Sequence, residues 1–321
     1  MPGISFFREL KGQDGPAGMI REYLKNSRMP SGLIFCGPEG VGKKAAALVT
    51  AKALNCLQAG EEPCGDCPSC LKIDKRQHPD VHLIENAQDS IKSEDIRGLR
   101  QEIFLKPYEG RKRVFIIDNA HKLTAEAGNS ILKVLEEPPA GSIIILVTSC
   151  PARLLKTVLS RCQAIRFRRL PAVMLEELLR GTYGLEADAA RFLAAFSSGS
   201  PGTALQMRRR GVVEGRDSAV DYFLGKGVDI TAGLKEREDA KAAMTAMAVW
   251  LRDVILLKTG IPESRLVNYD RRQELADCGA RYTTGDLLKA FGVLADSLLF
   301  LEQNVNIKLL LSGLRMESCI K

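Results

Sequence analysis

Residues 36–44 read CGPEGVGKK and follow the apolar run GLIFC. A glycine-rich turn between a strand and a helix can wrap anionic phosphate with backbone N–H groups. Gly37, Gly40 and Gly42 supply such a turn, and Lys43 is placed to neutralise the outer phosphates of a nucleotide. The next residue of a phosphate loop supplies a hydroxyl to Mg2+. Here it is Lys44, which cannot ligate a cation. Farther on, RVFIIDNAH at 113–121 places Asp118 at the carboxyl end of a strand, where an acidic metal contact belongs. Asn119 follows where a water-activating carboxylate would stand, so general-base help of about 10²–10⁴-fold is missing at that position. Two departures in one site argue against efficient hydrolysis. Binding of ATP or ADP without turnover stays open. A glycine turn with a chance lysine is the plain alternative, but it must account for Gly37, Gly42, Lys43 and Asp118 in this order and spacing.

A second cluster is made of cysteines. Cys56 ends the segment after the loop, and Cys64-Gly-Asp-Cys67-Pro-Ser-Cys70 follows. Two overlapping CxxC turns plus one upstream cysteine offer four thiolates to a tetrahedral zinc ion, and Gly65 and Pro68 allow the tight turns. Four reduced cysteines, or a redox pair, are the plainer readings; a redox pair does not need four thiols. With no position left for water, a structural site is expected. His78 is a fifth candidate ligand, set against a role capping the turn before DVHLIE. Cys36 lies in an apolar strand and is expected to be packed, while Cys150, Cys162, Cys278 and Cys319 have no metal-like spacing.

The elements that must hold these groups alternate. GLIFCG, DVHLIE, RVFIID, SIIILVTS and AIRFRR are short β-rich runs. Between them lie helical patterns: KAAALVTAKALNCL; SEDIRGLRQEIFL, with Ser93 as the expected cap; AEAGNSILKVLEE, stopped by Pro138 and Pro139; and ARLLKTVLSRC. Strands alternating with helices predict a parallel sheet covered on both faces. The fold class is therefore α/β followed by all-α: a P-loop domain over 1–168 with a zinc module at about 56–70, a three-helix lid over 169–212, and a helical domain over 213–321. In the last, AKAAMTAMAVWLRDVILLK, GDLLKAFGVLADSLLFLEQ and NIKLLLSGL are the helical runs, and 261–284 is less regular. Phe6 and Phe7 are expected to tuck onto the sheet.

The totals set outer bounds. At 321 residues the chain is long enough for two or three cores. It is 45% hydrophobic and 26% charged, with net charge +7 spread along its length. That balance permits a polyanionic neighbour, although a solvated surface looks the same. No apolar run approaches the about 20 residues of a membrane span, and the first residues lack the apolar core of a signal peptide. Nine cysteines, four of them clustered, fit reduced thiols and one metal site in the cytoplasm better than a secreted disulfide framework.

At these residues the chain resembles the clamp-loader subunits of bacterial DNA polymerase III, in the AAA+ superfamily. The shared parts are the phosphate loop with a four-cysteine insert after its helix, HPD at 78–80, NSILKVLEEPP at 129–139, SRC at 160–162 and GSPG at 199–202. The resemblance is dense over about 6–205 and weaker beyond, where WLRDVILLK and NVNIKLLLSGL look like the family's helical collar. It implies that Arg161 of the SRC turn reaches a neighbouring subunit's nucleotide as an arginine finger; from spacing alone it is an ordinary basic residue near a helix end. It also implies that Thr148 stands at the position that senses nucleotide state. The family's ATP-hydrolysing motors carry Thr or Ser, an Asp-Glu pair and an arginine where this chain has Lys44, Asn119 and Gly202. Those differences look like the non-hydrolysing delta-prime type, with a gamma/tau-like motor as the alternative. The implied partners are motor (gamma/tau) and delta subunits in a hetero-oligomeric ring, primer–template DNA through that complex, and a sliding clamp indirectly. Lys92, Arg97 and Arg100 are candidate contacts to the DNA backbone, or simply a solvated face.

Overall fold

The computed structural model describes residues 4–85, 90–226, 229–231, 233–234, 236–303 and 305–317, apart from the side chains of Arg100, Ser264, Glu302, Arg315, Met316 and Glu317. Cys319 and the Arg100 side chain thus lie outside the described residues. The backbone forms two compact units, Met1–Leu170 and Pro171–Lys321.

In the first unit the elements run α1 (Asp14–Lys25), β1 (Gly32–Cys36), α2 (Lys43–Asn55), α3 (Pro68–Asp74), β2 (Val81–Ile84), α4 (Ser93–Glu102), β3 (Arg113–Ile117), α5 (Ala125–Glu136), β4 (Ser142–Thr148), α6 (Lys156–Leu159) and β5 (Gln163–Arg166). The strands form one parallel sheet in the order β2-β3-β4-β1-β5. β1, β3 and β4 are buried along their whole length, as expected for central strands covered on both faces. Alternate residues feed two cores. Leu33, Phe35, Val114, Ile116, Ile143 and Ile145 pack with Ala17 and Ile20 of α1 and Ala46, Ala47 and Val49 of α2. Ile34, Phe115, Ile117, Ile144 and Leu146 pack with Ile96 and Leu99 of α4 and Ile131, Val134 and Leu135 of α5. Phe7 joins the first core, and Phe6 is half-buried.

Strand order decides where the chemistry meets. β1 crosses to β2 past two intervening strands, and β4 crosses β1 to reach β5. In such open sheets ligands bind beyond the carboxyl ends of the strands, where the order switches. Register pairs Cys36 with Thr148, and Ile117 with Leu146. The phosphate loop, Asp118 and Thr148 therefore share one edge of the sheet.

Two local expectations are corrected. Ser93 is the first helical residue of α4, and Lys92 is its cap; the Asp95 carboxylate accepts the Lys92 N–H at 2.8 Å. ARLLKTVLSRC is not one helix. A 3-10 turn at Pro151–Arg153 is followed by extended Leu154 and Leu155, and α6 is a single turn. Leu154 is buried, and a Cβ on Gly128 of α5 would lie 2.8 Å from Leu155. Both neighbouring leucines belong to the same core. Successive side chains of extended backbone point to opposite sides, so the break in the helix is set by the packing of Leu155 on Gly128 and of Leu154 into the core, not by helical spacing.

The second unit is helical: α7 (Ala172–Tyr183), α8 (Ala187–Phe196), α9 (Pro201–Arg209), α10 (Val212–Phe223), α11 (Arg237–Lys258), α12 (Arg272–Arg281), α13 (Thr284–Glu302) and α14 (Ile307–Glu317). α11 is its axis, burying Met244, Met247, Trp250, Leu251 and Val254 and touching α10, α12 and α13. The irregular stretch 261–284 holds α12, anchored by Asp253, whose Oδ2 accepts the N–H groups of Val267 and Asn268 at 2.8 and 2.7 Å. Among the described residues no helix is long and apolar enough to cross a membrane.

Candidate functional site

The phosphate loop has the backbone its sequence demands. Gly37 has φ 146°, and a Cβ there would lie 2.3 Å from the Phe167 carbonyl oxygen, so no other residue fits. Gly40 and Gly42 have φ 73° and 97°. Lys43 opens α2 and is 7% exposed. Its Nζ donates to the Gly37 carbonyl at 2.7 Å and to the Pro38 carbonyl. Burial lowers its pKa from the ordinary lysine value, against the opposing charges of Glu39 and Asp118. A desolvated ammonium at the start of a helix, held by loop carbonyls, is compatible with binding anionic phosphate.

Lys44 turns to Asp118. Its Nζ lies 3.3 Å from Asp118 Oδ2 and is also ion-paired with Glu85, just beyond β2. Glu85 Oε2 takes Nη1 of Arg76 at 2.8 Å. Asp118 sits one residue past β3, and its Oδ1 accepts the Asn119 N–H at 3.0 Å. Asn119 is exposed and left-handed at φ 52°, ψ 42°, a conformation asparagine tolerates well. The acidic residue that would hold a cation is therefore already matched by a side-chain cation.

At the end of β4, buried Thr148 places Oγ1 3.3 Å from His121 Nδ1 and accepts the Cys150 N–H at 3.1 Å. Burial lowers the His121 pKa, and the charges of Arg153 and Lys122 add to that, against the charge of Glu39. Sequence reading singled out Thr148 but gave His121 no role, since nothing local points from one to the other. Arg161 lies two residues past α6, half-exposed, with Nη2 2.7 Å from Glu136 Oε1 and Nη1 donating to the Thr157 carbonyl at 3.0 Å.

The cysteines converge. Cys56 caps the end of α2, and Cys67 caps the start of α3, with Pro68 as its first residue. The Sγ atoms of Cys56, Cys64, Cys67 and Cys70 all lie within 4.8 Å of one another, and Cys64 and Cys70 are 3.9 Å apart. Tetrahedral zinc with Zn–S of about 2.3 Å needs sulfurs about 3.8 Å apart. Backbone N–H groups of Cys64, Cys67 and Cys70 donate to the sulfurs of Cys56, Cys64 and Cys67 at 3.3, 3.4 and 3.5 Å, a pattern that suits thiolates. Burial raises the Cys70 thiol. At Cys67 burial is outweighed by the amides of Cys70 and Leu57, which bring it down to about 6. The donor set is compatible with a zinc site.

His78 stands outside this cluster: it is buried, and its Nδ1 accepts the Asp80 N–H at 3.1 Å, the turn role. Cys36 is buried in β1. The residue that sequence reading missed is Asp80. Fully buried, it accepts the N–H groups of Tyr108, Glu109 and Gly110 at 2.7–2.9 Å and pairs with Arg113 Nη2 at 3.0 Å. It ties the start of β2 to the loop before β3.

A family profile described as "DNA polymerase III, delta subunit" matches residues 12–171. DNA polymerase III subunit delta' of Bacillus subtilis is 29% identical over 311 residues, covering 92% of this chain and 93% of that one. The chain belongs to the clamp-loader family of DNA polymerase III. The gamma/tau subunit of Mycobacterium tuberculosis, strain H37Rv, is 33% identical over 254 residues, or 76% of this clamp-loader chain, which spans only 44% of the gamma/tau relative. A Thermotoga maritima DNA polymerase III gamma subunit-related protein of known structure aligns over 94% of this chain and 99% of its own, with TM-score 0.47 and 16% identity. The clamp-loader residues Gly37, Gly40, Gly42, Lys43 and Asp118 meet at the carboxyl edge of the sheet, and the four cysteines form a separate module between α2 and α3.

Proposed function

We propose that this chain is a delta-prime-type clamp-loader subunit that does not turn over ATP itself and lends Arg161 to a neighbouring motor subunit during replication. The observation that carries the reading is the Lys44–Asp118 ion pair: the carboxylate that would hold a catalytic metal is engaged by the chain's own ammonium. Asn119 supplies no general base beside it. The 93% coverage of the Bacillus subtilis delta' sequence supports the same assignment.

In this reading residues 169–212 form a lid and 213–321 a collar that packs with equivalent domains of gamma/tau and delta subunits in a ring. The P-loop domain is a comparatively rigid wall. Zinc held by Cys56, Cys64, Cys67 and Cys70 supplies only a structural cross-link. Arg161 serves the neighbour's γ-phosphate, for which its planar fork suits two oxygens at once. The ring binds primer–template DNA and opens a sliding clamp, with any clamp contact by this chain indirect. Its setting is the cytoplasm. The loop at Lys43 is a seat for ATP or ADP without hydrolysis.

The test is reconstitution with motor and delta subunits. Arg161→Ala is expected to assemble normally and to lose about 10³-fold of turnover at the interface it serves. Unchanged turnover removes the finger. A second reading, a gamma/tau-like motor, is favoured by the well-formed loop around Lys43. DNA-stimulated ATPase of the isolated chain, lost in Lys43→Ala, would establish it.

A further inference from the structure

We propose that the Lys44 ammonium is a built-in cation that takes the place of the divalent metal at this phosphate loop, so that the site takes the polyphosphate of ATP or ADP in metal-free form. The proposal deepens, and rests on, the reading of the loop as a nucleotide seat.

The geometry points there in three steps. First, Lys44 follows the loop lysine, at the position whose hydroxyl would otherwise ligate Mg2+. Second, its Nζ is bracketed by carboxylates from two different strand ends: Asp118 at 3.3 Å, past β3, and Glu85, past β2. A divalent ion bound to Asp118 would stand within a few ångströms of this ammonium, and like charges that close repel strongly in a partly buried site. Third, the arrangement is braced. Arg76, after α3, holds the other oxygen of Glu85 at 2.8 Å. The two carboxylates Glu85 and Asp118 thus face the two cations Lys44 and Arg76, and the metal position is neutral without a divalent ion. Lys43 points instead into the loop, to the carbonyls of Gly37 and Pro38. One lysine is left to the phosphates, and its neighbour to the acidic residues. The residues present therefore do not fit Mg2+, whereas they do fit a phosphate chain.

The experiment is isothermal titration of the full chain with ATP and with ADP, once in excess Mg2+ and once in excess EDTA. Wild type, Lys44→Thr and Lys44→Ala are compared, each checked for an unchanged melting transition. Lys44 is more than a third exposed, so the substitutions are tolerable to the fold. The expected result is a wild-type Kd that changes by less than about threefold between the two conditions, while in Lys44→Thr Mg2+ tightens binding by about tenfold or more. Wild-type binding that is about tenfold tighter with Mg2+ overturns the proposal. Lys44→Thr binding that is indifferent to Mg2+ overturns it as well, and so does wild type binding neither nucleotide in either condition. None of these outcomes bears on Arg161, which is scored by the turnover of its partner.

Discussion

Arg161 Nη2 lies 2.7 Å from Glu136 Oε1, so the guanidinium rests on the last residue of α5 of its own chain. SRC and EEPP, 24 residues apart from Glu136 to Ser160, are thereby one structural unit. An arginine that must reach a neighbour's phosphate has first to leave this carboxylate.

Glu136→Gln follows from that competition. Both groups are at least a third exposed, so the pair contributes less than about 1 kcal/mol to stability, and the melting temperature should barely move. In the reconstituted ring, ATPase should be unchanged or raised by about two- to threefold, since 1.4 kcal/mol of released arginine would be worth about tenfold. A marked fall in ATPase with assembly intact would show that Glu136 positions Arg161 rather than competes for it.

Asp80 makes the fold acid-sensitive. Although burial raises its pKa, the Tyr108, Glu109 and Gly110 amides and Arg113 outweigh that and hold the carboxyl at about 2. A depressed folded value means stability that is present above the unfolded value near 4 and is lost as pH falls through the folded one. Between about pH 4 and pH 2 wild type should lose about 2–3 kcal/mol from this group. Asp80→Asn should lose about 3 kcal/mol at pH 7, where Arg113 is left without its charge partner, and show a shallower acid limb. Denaturant melts at several pH values measure both.

Zinc removal should loosen one module and spare the sheet. Elemental analysis should find one zinc per chain, and none in Cys67→Ser. The variant is expected to keep its far-ultraviolet spectrum while limited proteolysis opens within residues 57–69, because the loop between Cys56 and Cys70 has lost its cross-link. The Lys52–Asp74 pair at 2.8 Å, buried on the lysine side, should hold α3 on α2 in part. Protein carrying no zinc after preparation without chelator would remove the site.

Gly37→Ala tests the loop. With φ at 146° and the Phe167 carbonyl oxygen 2.3 Å from the new Cβ, the cost should exceed about 2 kcal/mol. Gly18→Ala is the control: it lies inside α1 with nothing within 4 Å, so it should be neutral or stabilising by up to about 1 kcal/mol. Equal effects of the two would mean that the loop relaxes at no cost.

What the sequence by itself determined is what short-range chemistry controls. Alternating apolar runs set five strands, glycines with forbidden side chains set the phosphate loop, and CxxC turns set which sulfurs converge. α1, α3, α10 and α12 went unread, since each carries glycine or proline that reads as a loop signal: Gly15, Pro16 and Gly18, then Pro68, Gly215 and Gly279. What tertiary structure alone decided is which charges meet. Lys44 finds Asp118 and Glu85 because the order β2-β3-β4-β1-β5 brings three strand ends to one edge. Asp80 finds Arg113 because β2 and β3 are neighbours, and Arg161 finds Glu136 because α6 packs against α5, whose last residue is Glu136. Patterns along the chain report only which face of an element is apolar. Partners 25 to 74 residues apart are fixed by strand order and by the packing of α6 on α5, and neither can be read from spacing.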